Sequence, residues 1–355
     1  MANMAQAIRM ALHYGEKNLG VEHIFGQDVG PPLGGVFTAT QGLTKTWNAP
    51  LDERGIIGAA IGLAYANTRS VAEIQFCDYI YNTIDLLKIA GMSTWTSNGD
   101  WPMPMTVMTP TGAGIRGSIY HSHSFDAMMT HIPGWKIVMP SNSLDAYGLM
   151  LACLKEQCPT MYMKPKALLR VEGEDPIPGE PPLTAEGKKQ LKEMIDAPLG
   201  DRTKWSPKWP DLQDYTVEIG KGKIVRAGEH VTVVTYGRHV LIARDVADAL
   251  LKDGISVEVI DLRTLWPYDW AMISASIQKT KRVIFVNEDT EVTNFGEHLL
   301  RRTIDEHFYD LHARPRLLAG AFVPGIGLSD NLEIASVPQQ SDIERACREI
   351  VAEQP

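Results

Sequence analysis

The chain has 355 residues, more than one hydrophobic core usually serves, so two domains are expected. Its 44% hydrophobic and 22% charged residues are ordinary for a globular protein and exclude the disordered and fibrous classes. A formal net charge of -9 argues against a nucleic-acid partner, because an acidic surface repels phosphate.

Cys77, Cys153, Cys158 and Cys347 form no C-x-x-C pair and read as reduced thiols of a cytoplasmic protein. The N-terminus lacks the apolar core and cleavage site of a signal peptide. The longest apolar stretch, residues 55–66, falls short of the roughly 20 residues that a membrane span needs, so no membrane is expected.

Met4, Ile8, Ala11 and Leu12 recur at helical spacing and predict an amphipathic helix over 3–17. A strand follows at 21–25, then a helix of small residues at 55–66 that could pack closely on a neighbour, a strand at 71–75 and a helix at 79–92. Strands at 105–109 and 136–139, a helix at 143–157 and a strand at 160–163 complete an alternation typical of a parallel sheet covered on both faces. Residues 171–214 break the pattern; rich in Pro, Lys, Glu and Asp, they read as an interdomain linker. Strands at 231–236, 256–261 and 282–287 then alternate with helices at 239–252, 267–278 and 295–307. The domains are therefore expected at 1–170 and 215–355, both α/β, the first with a six-stranded type of parallel sheet and the second smaller.

Three constellations invite chemistry. In Ala49-Pro50-Leu51-Asp52-Glu53, Asp52 would cap the helix that follows and Glu53 complement its dipole, or Glu53 is a partly buried acid that exchanges a proton with a cofactor. In Tyr120-His121-Ser122-His123-Ser124, with His131 beyond, the histidines could bind a metal, or His121 could act as a general acid/base. The glycine-rich loop before it, 111–117, could cradle phosphate but matches neither phosphate-binding signature; the plain alternative is a polar surface loop. Phe76-Cys77-Asp78-Tyr79 follows a strand, where parallel sheets bind ligands, but core aromatics are the commoner explanation.

Read in order, longer strings resemble one family. They include Gly26-Gln27-Asp28-Val29-Gly30, Ala49-Pro50-Leu51-Asp52-Glu53, Val71-Ala72-Glu73-Ile74-Gln75-Phe76 with Asp78-Tyr79, Tyr120-His121-Ser122 and His131-Ile132-Pro133-Gly134. In the second half come Val231-Thr232-Val233-Val234-Thr235-Tyr236-Gly237 and Val257-Glu258-Val259-Ile260-Asp261-Leu262-Arg263. This set is similar to the β subunits of thiamine-diphosphate-dependent 2-oxoacid dehydrogenases, collinear over nearly the whole chain except 171–214.

The resemblance implies a pyrimidine-binding domain followed by a transketolase C-terminal-like domain. It implies oxidative decarboxylation of a small 2-oxoacid, branched-chain ahead of pyruvate, with acyl transfer to lipoyl-lysine. Glu53 becomes the cofactor-activating acid, bonded to the pyrimidine ring nitrogen; Tyr79 and Phe76 pack at the pyrimidine, and Asp28 joins the cofactor site. His121 serves proton transfer to lipoyl, and the role of His131 stays open. K⁺ would be held by backbone carbonyls around Met105, Thr106, Cys153 and Glu156. The family's Gly-Asp-Gly motif, which holds the diphosphate and Mg²⁺, is absent here. An α subunit in an α2β2 heterotetramer is therefore expected, together with a lipoyl acyltransferase core. The family usually has Glu at Gln27 and Gln at His123, its Arg-rich stretch reads Ser93-Thr94-Trp95-Thr96-Ser97-Asn98-Gly99 here, and segment 171–214 is longer than usual. Rival readings are an acetoin dehydrogenase β subunit, half of a split transketolase-like enzyme, and a catalytically silent assembly paralogue.

Overall fold

The computed structural model describes residues 1–198, 200 and 205–353; the expected linker at 171–214 falls partly outside the described residues. In chain order come α1 (Met4–Asn18), β1 (Val21–Gly26), β2 (Thr46–Asn48), α2 (Glu53–Tyr65), β3 (Arg69–Glu73), α3 (Ile84–Thr96) and β4 (Met105–Thr111). Then follow α4 (Asp126–Thr130), β5 (Lys136–Val138), α5 (Ser143–Lys155), β6 (Thr160–Pro165), α6 (Ala185–Ile195) and β7 (Lys223–Arg226). The last stretch carries β8 (Val231–Thr235), α7 (His239–Leu251), β9 (Val257–Asp261), β10 (Thr264–Trp266), α8 (Trp270–Thr280), β11 (Val283–Thr290), α9 (Phe295–His307), β12 (Arg316–Gly320), α10 (Asp330–Ser336) and α11 (Gln340–Ala352). No helix among the described residues is long and apolar enough to cross a membrane.

The chain divides into two compact units. One comprises Met1–Pro110 and Ile132–Ile219, the other Thr111–His131 and Gly220–Pro355. The segment 111–131 thus groups with the second unit, and most of 171–219 is ordered structure of the first.

The first unit is an α/β layer structure on strands ordered β5-β6-β4-β3-β1-β2, with parallel pairing at β1–β2, β1–β3, β3–β4 and β5–β6. Its central strands β4 and β6 are buried along their whole length, as sheets covered on both faces require. The expected helix at 79–92 is divided. Cys77–Thr83 form a 3₁₀ turn before α3, and the Asn82 carbonyl accepts from Arg54 Nη1 (2.8 Å).

Helix α1 departs from the amphipathic expectation, because Met4 to Leu12 are all buried. One side packs on α5, where Gly15 meets Leu154. The other side is covered by segment 173–219. There Asp196 pairs with the buried Arg9 guanidinium and accepts from Gln6 Nε2, and Trp209 stacks on His13 with ring centroids 4.2 Å apart. Burial, with the charge of Lys17 nearby, pushes the His13 imidazole down to about 4.

The second unit has the sheet order β12-β11-β8-β9-β7, parallel except for the antiparallel edge pair β7–β9. Val231, Val233, Ala243, Leu250, Val257 and Ile284 form its core with Ile343 and Ile350 of α11. Helices α10 and α11 and strand β12 lie beyond the last element expected from the sequence.

Candidate functional site

In the first unit, the loops leaving β1 and β3 and the start of α2 carry the residues of interest. Glu53 is the first residue of α2 and is half-buried. Asp52 occupies the N-cap position of α2, its carbonyl accepting from Ile56 N–H at 2.9 Å, but its side chain makes no capping hydrogen bond and lies against Gly55. Glu53 Oε1 accepts from Gln27 Nε2 and Oε2 from Asn82 Nδ2, each at 3.3 Å. Each oxygen therefore keeps a lone pair for a further donor.

Asp28 stands just past β1 with φ of 60°, and its Oδ2 accepts from Gln75 Nε2 at 2.8 Å. Behind it the loop is fastened from below. Gly35 N–H donates to the Asp28 carbonyl (2.7 Å) and Val36 N–H to Glu73 Oε1 (3.1 Å). Glu73 Oε2 meets Lys164 Nζ at 2.5 Å in an ion pair with no solvent exposure on either side. Gly35 has φ of 79°, and a Cβ there would meet Thr40 Oγ1 at 2.5 Å, so the close approach of the loop requires glycine.

Phe76 and Tyr79 meet edge to face with centroids 5.7 Å apart, and Lys166 Nζ lies 5.6 Å over the Phe76 ring. Burial, then the charges of Asp78 and Glu53, raises the Tyr79 hydroxyl above its ordinary value. Asp28, Glu53, Phe76 and Tyr79 thus gather in the first unit. A carboxylate with free lone pairs beside an aromatic pair fits a flat nitrogen heterocycle such as an aminopyrimidine. Sequence reasoning missed Asn82 and Gln75, whose amides complete this cluster.

The potassium reading fits less well. The Glu156 carbonyl, one of its ligands, accepts from Arg69 Nη1 at 2.8 Å. The Cys153 carbonyl accepts from Glu156 N–H at 3.2 Å, and the Glu156 carboxylate pairs with Lys136 at 2.6 Å. Met105 and Thr106 lie in β4, paired in register with Ser70 and Val71. Of these four carbonyls, that of Glu156 is thus already engaged by a guanidinium.

His121 lies in segment 111–131 of the second unit, half-buried, with its N–H donating to the Ser118 carbonyl (3.2 Å). The glycine-rich loop before it is held by carboxylates. Ala113 N–H donates to Glu288, and Gly114 and Arg116 N–H donate to the two oxygens of Glu333, at 2.9–3.0 Å. These amides are therefore occupied, which removes the phosphate-cradle reading. Among the described residues no group of three or more His, Cys, Asp or Glu side chains could hold a metal ion, so the His121, His123 and His131 metal reading also fails. Further along the segment, Asp126 is wholly buried, and Ala127 N–H donates to Asp289 at 2.8 Å. Burial first, then the charges of Asp289 and Glu288, raises the Asp126 carboxyl well above its ordinary value.

Comparison with known proteins places these features in a lineage. Residues 1–172 match the transketolase pyrimidine-binding domain and residues 220–343 the transketolase C-terminal domain, leaving 173–219 between the two. The chain is similar to the 2-oxoisovalerate dehydrogenase subunit beta of Pseudomonas aeruginosa, 37% identical over 90% of this chain and 87% of that protein. It is similar to the pyruvate dehydrogenase E1 component subunit beta of Bacillus subtilis, 33% identical over 87% of each. A solved split-gene transketolase, described as an inactive β4 tetramer, shares the fold with a TM-score of 0.71 over 99% of this chain and 98% of that one, at 15% identity.

Proposed function

We propose, from the premise that this chain belongs to the family of 2-oxoacid dehydrogenase β subunits, that it supplies the pyrimidine half of a thiamine-diphosphate site. Its reaction is the oxidative decarboxylation of a branched-chain 2-oxoacid, with transfer of the acyl group to lipoyl-lysine. The observation that carries this reading is Glu53 at the head of α2, with open lone pairs beside Phe76 and Tyr79.

Bound thiamine diphosphate would supply a carbon nucleophile and an electron sink for decarboxylation of a 2-oxoacid. Glu53 holds the pyrimidine ring nitrogen by an Oε and exchanges a proton there. Phe76 and Tyr79 pack on the ring and keep water from it. Asp28, fixed by Gln75, closes the floor of the loop. His121 protonates the thiolate released when the lipoyl disulfide opens. The diphosphate and its Mg²⁺ fall to an α subunit, since the chain contains no Gly-Asp-Gly, and the working enzyme is an α2β2 heterotetramer docked to a lipoyl acyltransferase core. A branched-chain substrate is favoured over pyruvate by the 37% identity to the 2-oxoisovalerate dehydrogenase subunit of Pseudomonas aeruginosa, against 33% to the pyruvate dehydrogenase subunit of Bacillus subtilis.

Glu53→Gln keeps the shape and removes the exchangeable proton. Assembled with its α subunit, the variant should fold normally and lose about 100- to 10,000-fold in 2-oxoisovalerate decarboxylation. Wild-type turnover by that assembly would overturn the proposal.

A further inference from the structure

The surroundings of Glu53 are unusual for an acid that must exchange a proton. The nearby cation, Arg54, is turned away: its guanidinium makes two hydrogen bonds to Asp85, at 2.6 and 2.8 Å, and a third to the Asn82 carbonyl. What faces the two Glu53 oxygens is a pair of neutral amides, one from the loop after β1 and one from the 3₁₀ turn. The other charged or titratable groups on these elements are Asp28 and Lys45 after β1, Asp52 just ahead of α2 and Tyr65 at its end, Cys77, Asp78, Tyr79 and Tyr81 in the turn, and Asp85 and Lys88 on α3. Asp28 is engaged by Gln75, and Asp85 by Arg54.

The choice of amides has chemical content. A cation in direct contact would hold Glu53 ionised and oppose protonation, whereas a second carboxyl would compete for the same proton. A neutral N–H donor does neither. It favours the carboxylate modestly and fixes the plane of the group, and with one donor on each oxygen the plane is defined from both ends. Arg54 also ties down the backbone of Asn82, through its bond to the Asn82 carbonyl.

We infer that Gln27 and Asn82 are positioning residues for Glu53, a neutral two-amide clamp that aims its carboxylate at the cofactor's ring nitrogen and sets the pH at which it exchanges its proton. This rests on the role proposed above for Glu53.

The test uses the α2β2 assembly and four variants. Gln27→Glu and Asn82→Asp conserve shape but place a second carboxyl against Glu53, so the acid limb of the pH profile of kcat/KM should move upward by about 1 unit. Gln27→Ala and Asn82→Ala release one end of the clamp, so kcat should fall about 10-fold with KM for the 2-oxoacid little changed. A purely structural role would lower thermal stability without moving the pH profile. Unshifted profiles in both carboxyl variants, with Glu53→Gln inactive, would overturn the clamp alone. An active Glu53→Gln would overturn the role of Glu53 and the clamp with it.

Discussion

Two carboxylates without solvent exposure, one in each unit, are treated in opposite ways. Glu73 in the first unit meets a buried ammonium at 2.5 Å and a backbone N–H at 3.1 Å. Asp126 in the second lies among like charges, with Asp289 and Glu288 near enough to push its carboxyl upward. Burial is common to both, so burial does not decide what a carboxyl does in the fold. The partner decides. Glu73 with Lys164 makes an electrostatic rivet under the loop that carries Val36, while Asp126 keeps its proton at pH values where an exposed aspartate has lost it.

Removing the partner should break the first arrangement outright. Lys164→Met leaves Glu73 buried and unpaired, and should cost about 3–5 kcal/mol of stability, read as a lowered unfolding midpoint. Adding Glu73→Leu should recover much of that loss, because the stranded charge is then gone as well. Recovery of nothing would mean that the pair matters through the Val36 contact alone.

A half-buried partner should give a smaller effect of the same sign. Asp196→Ala strands the Arg9 guanidinium, but 28% exposure of the Asp196 side chain lets water approach, so about 2 kcal/mol is expected by denaturant unfolding. No change would place Arg9 with Gln41 as its sufficient partner.

The reverse substitution in the second unit should stabilise. A carboxyl whose folded pKa is raised binds its proton more tightly in the native state than in the unfolded chain. The native state is therefore disfavoured progressively as pH climbs from near the ordinary aspartate value of 3.8 through the raised one. Asp126→Asn removes that penalty. It should add about 1 kcal/mol at pH 8, with the gain fading towards pH 4, measured as Tm across pH. A gain equal at both pH values would show that Asp126 is not titrating in this range.

Much of this is legible in the sequence. The alternation of β-branched runs with helical periods announced two α/β units, and Glu53 and Tyr79 stood in strings long enough to resemble a family. What was illegible depends on side chains meeting across loops. Asn82 reaches Glu53 from a 3₁₀ turn 29 residues further along the chain, and no spacing rule encodes that. The 171–214 stretch read as a linker from its Pro and charged residues, yet it carries α6 and buries Ile177, Leu191 and Ile195. Its few apolar residues lie too far apart for a continuous stripe, and polar contacts such as that of Asp196 with Arg9 supply the rest. The four-residue apolar period in 3–17 concealed that Arg9 would be buried, since a charged residue on a helix normally faces water.

The cover over α1 has a bearing on ancestry. Arg9 is 1% exposed and is paired through segment 173–219, which lies outside both transketolase-type domains. Arg9 also donates to Gln41 Oε1 at 3.0 Å. Without the segment that side of α1 would face water and an arginine there would need no buried partner, whereas under the cover a guanidinium that loses Asp196 draws on a margin of about 5–15 kcal/mol. Positions 9 and 196 should therefore change as a pair among chains that keep the segment.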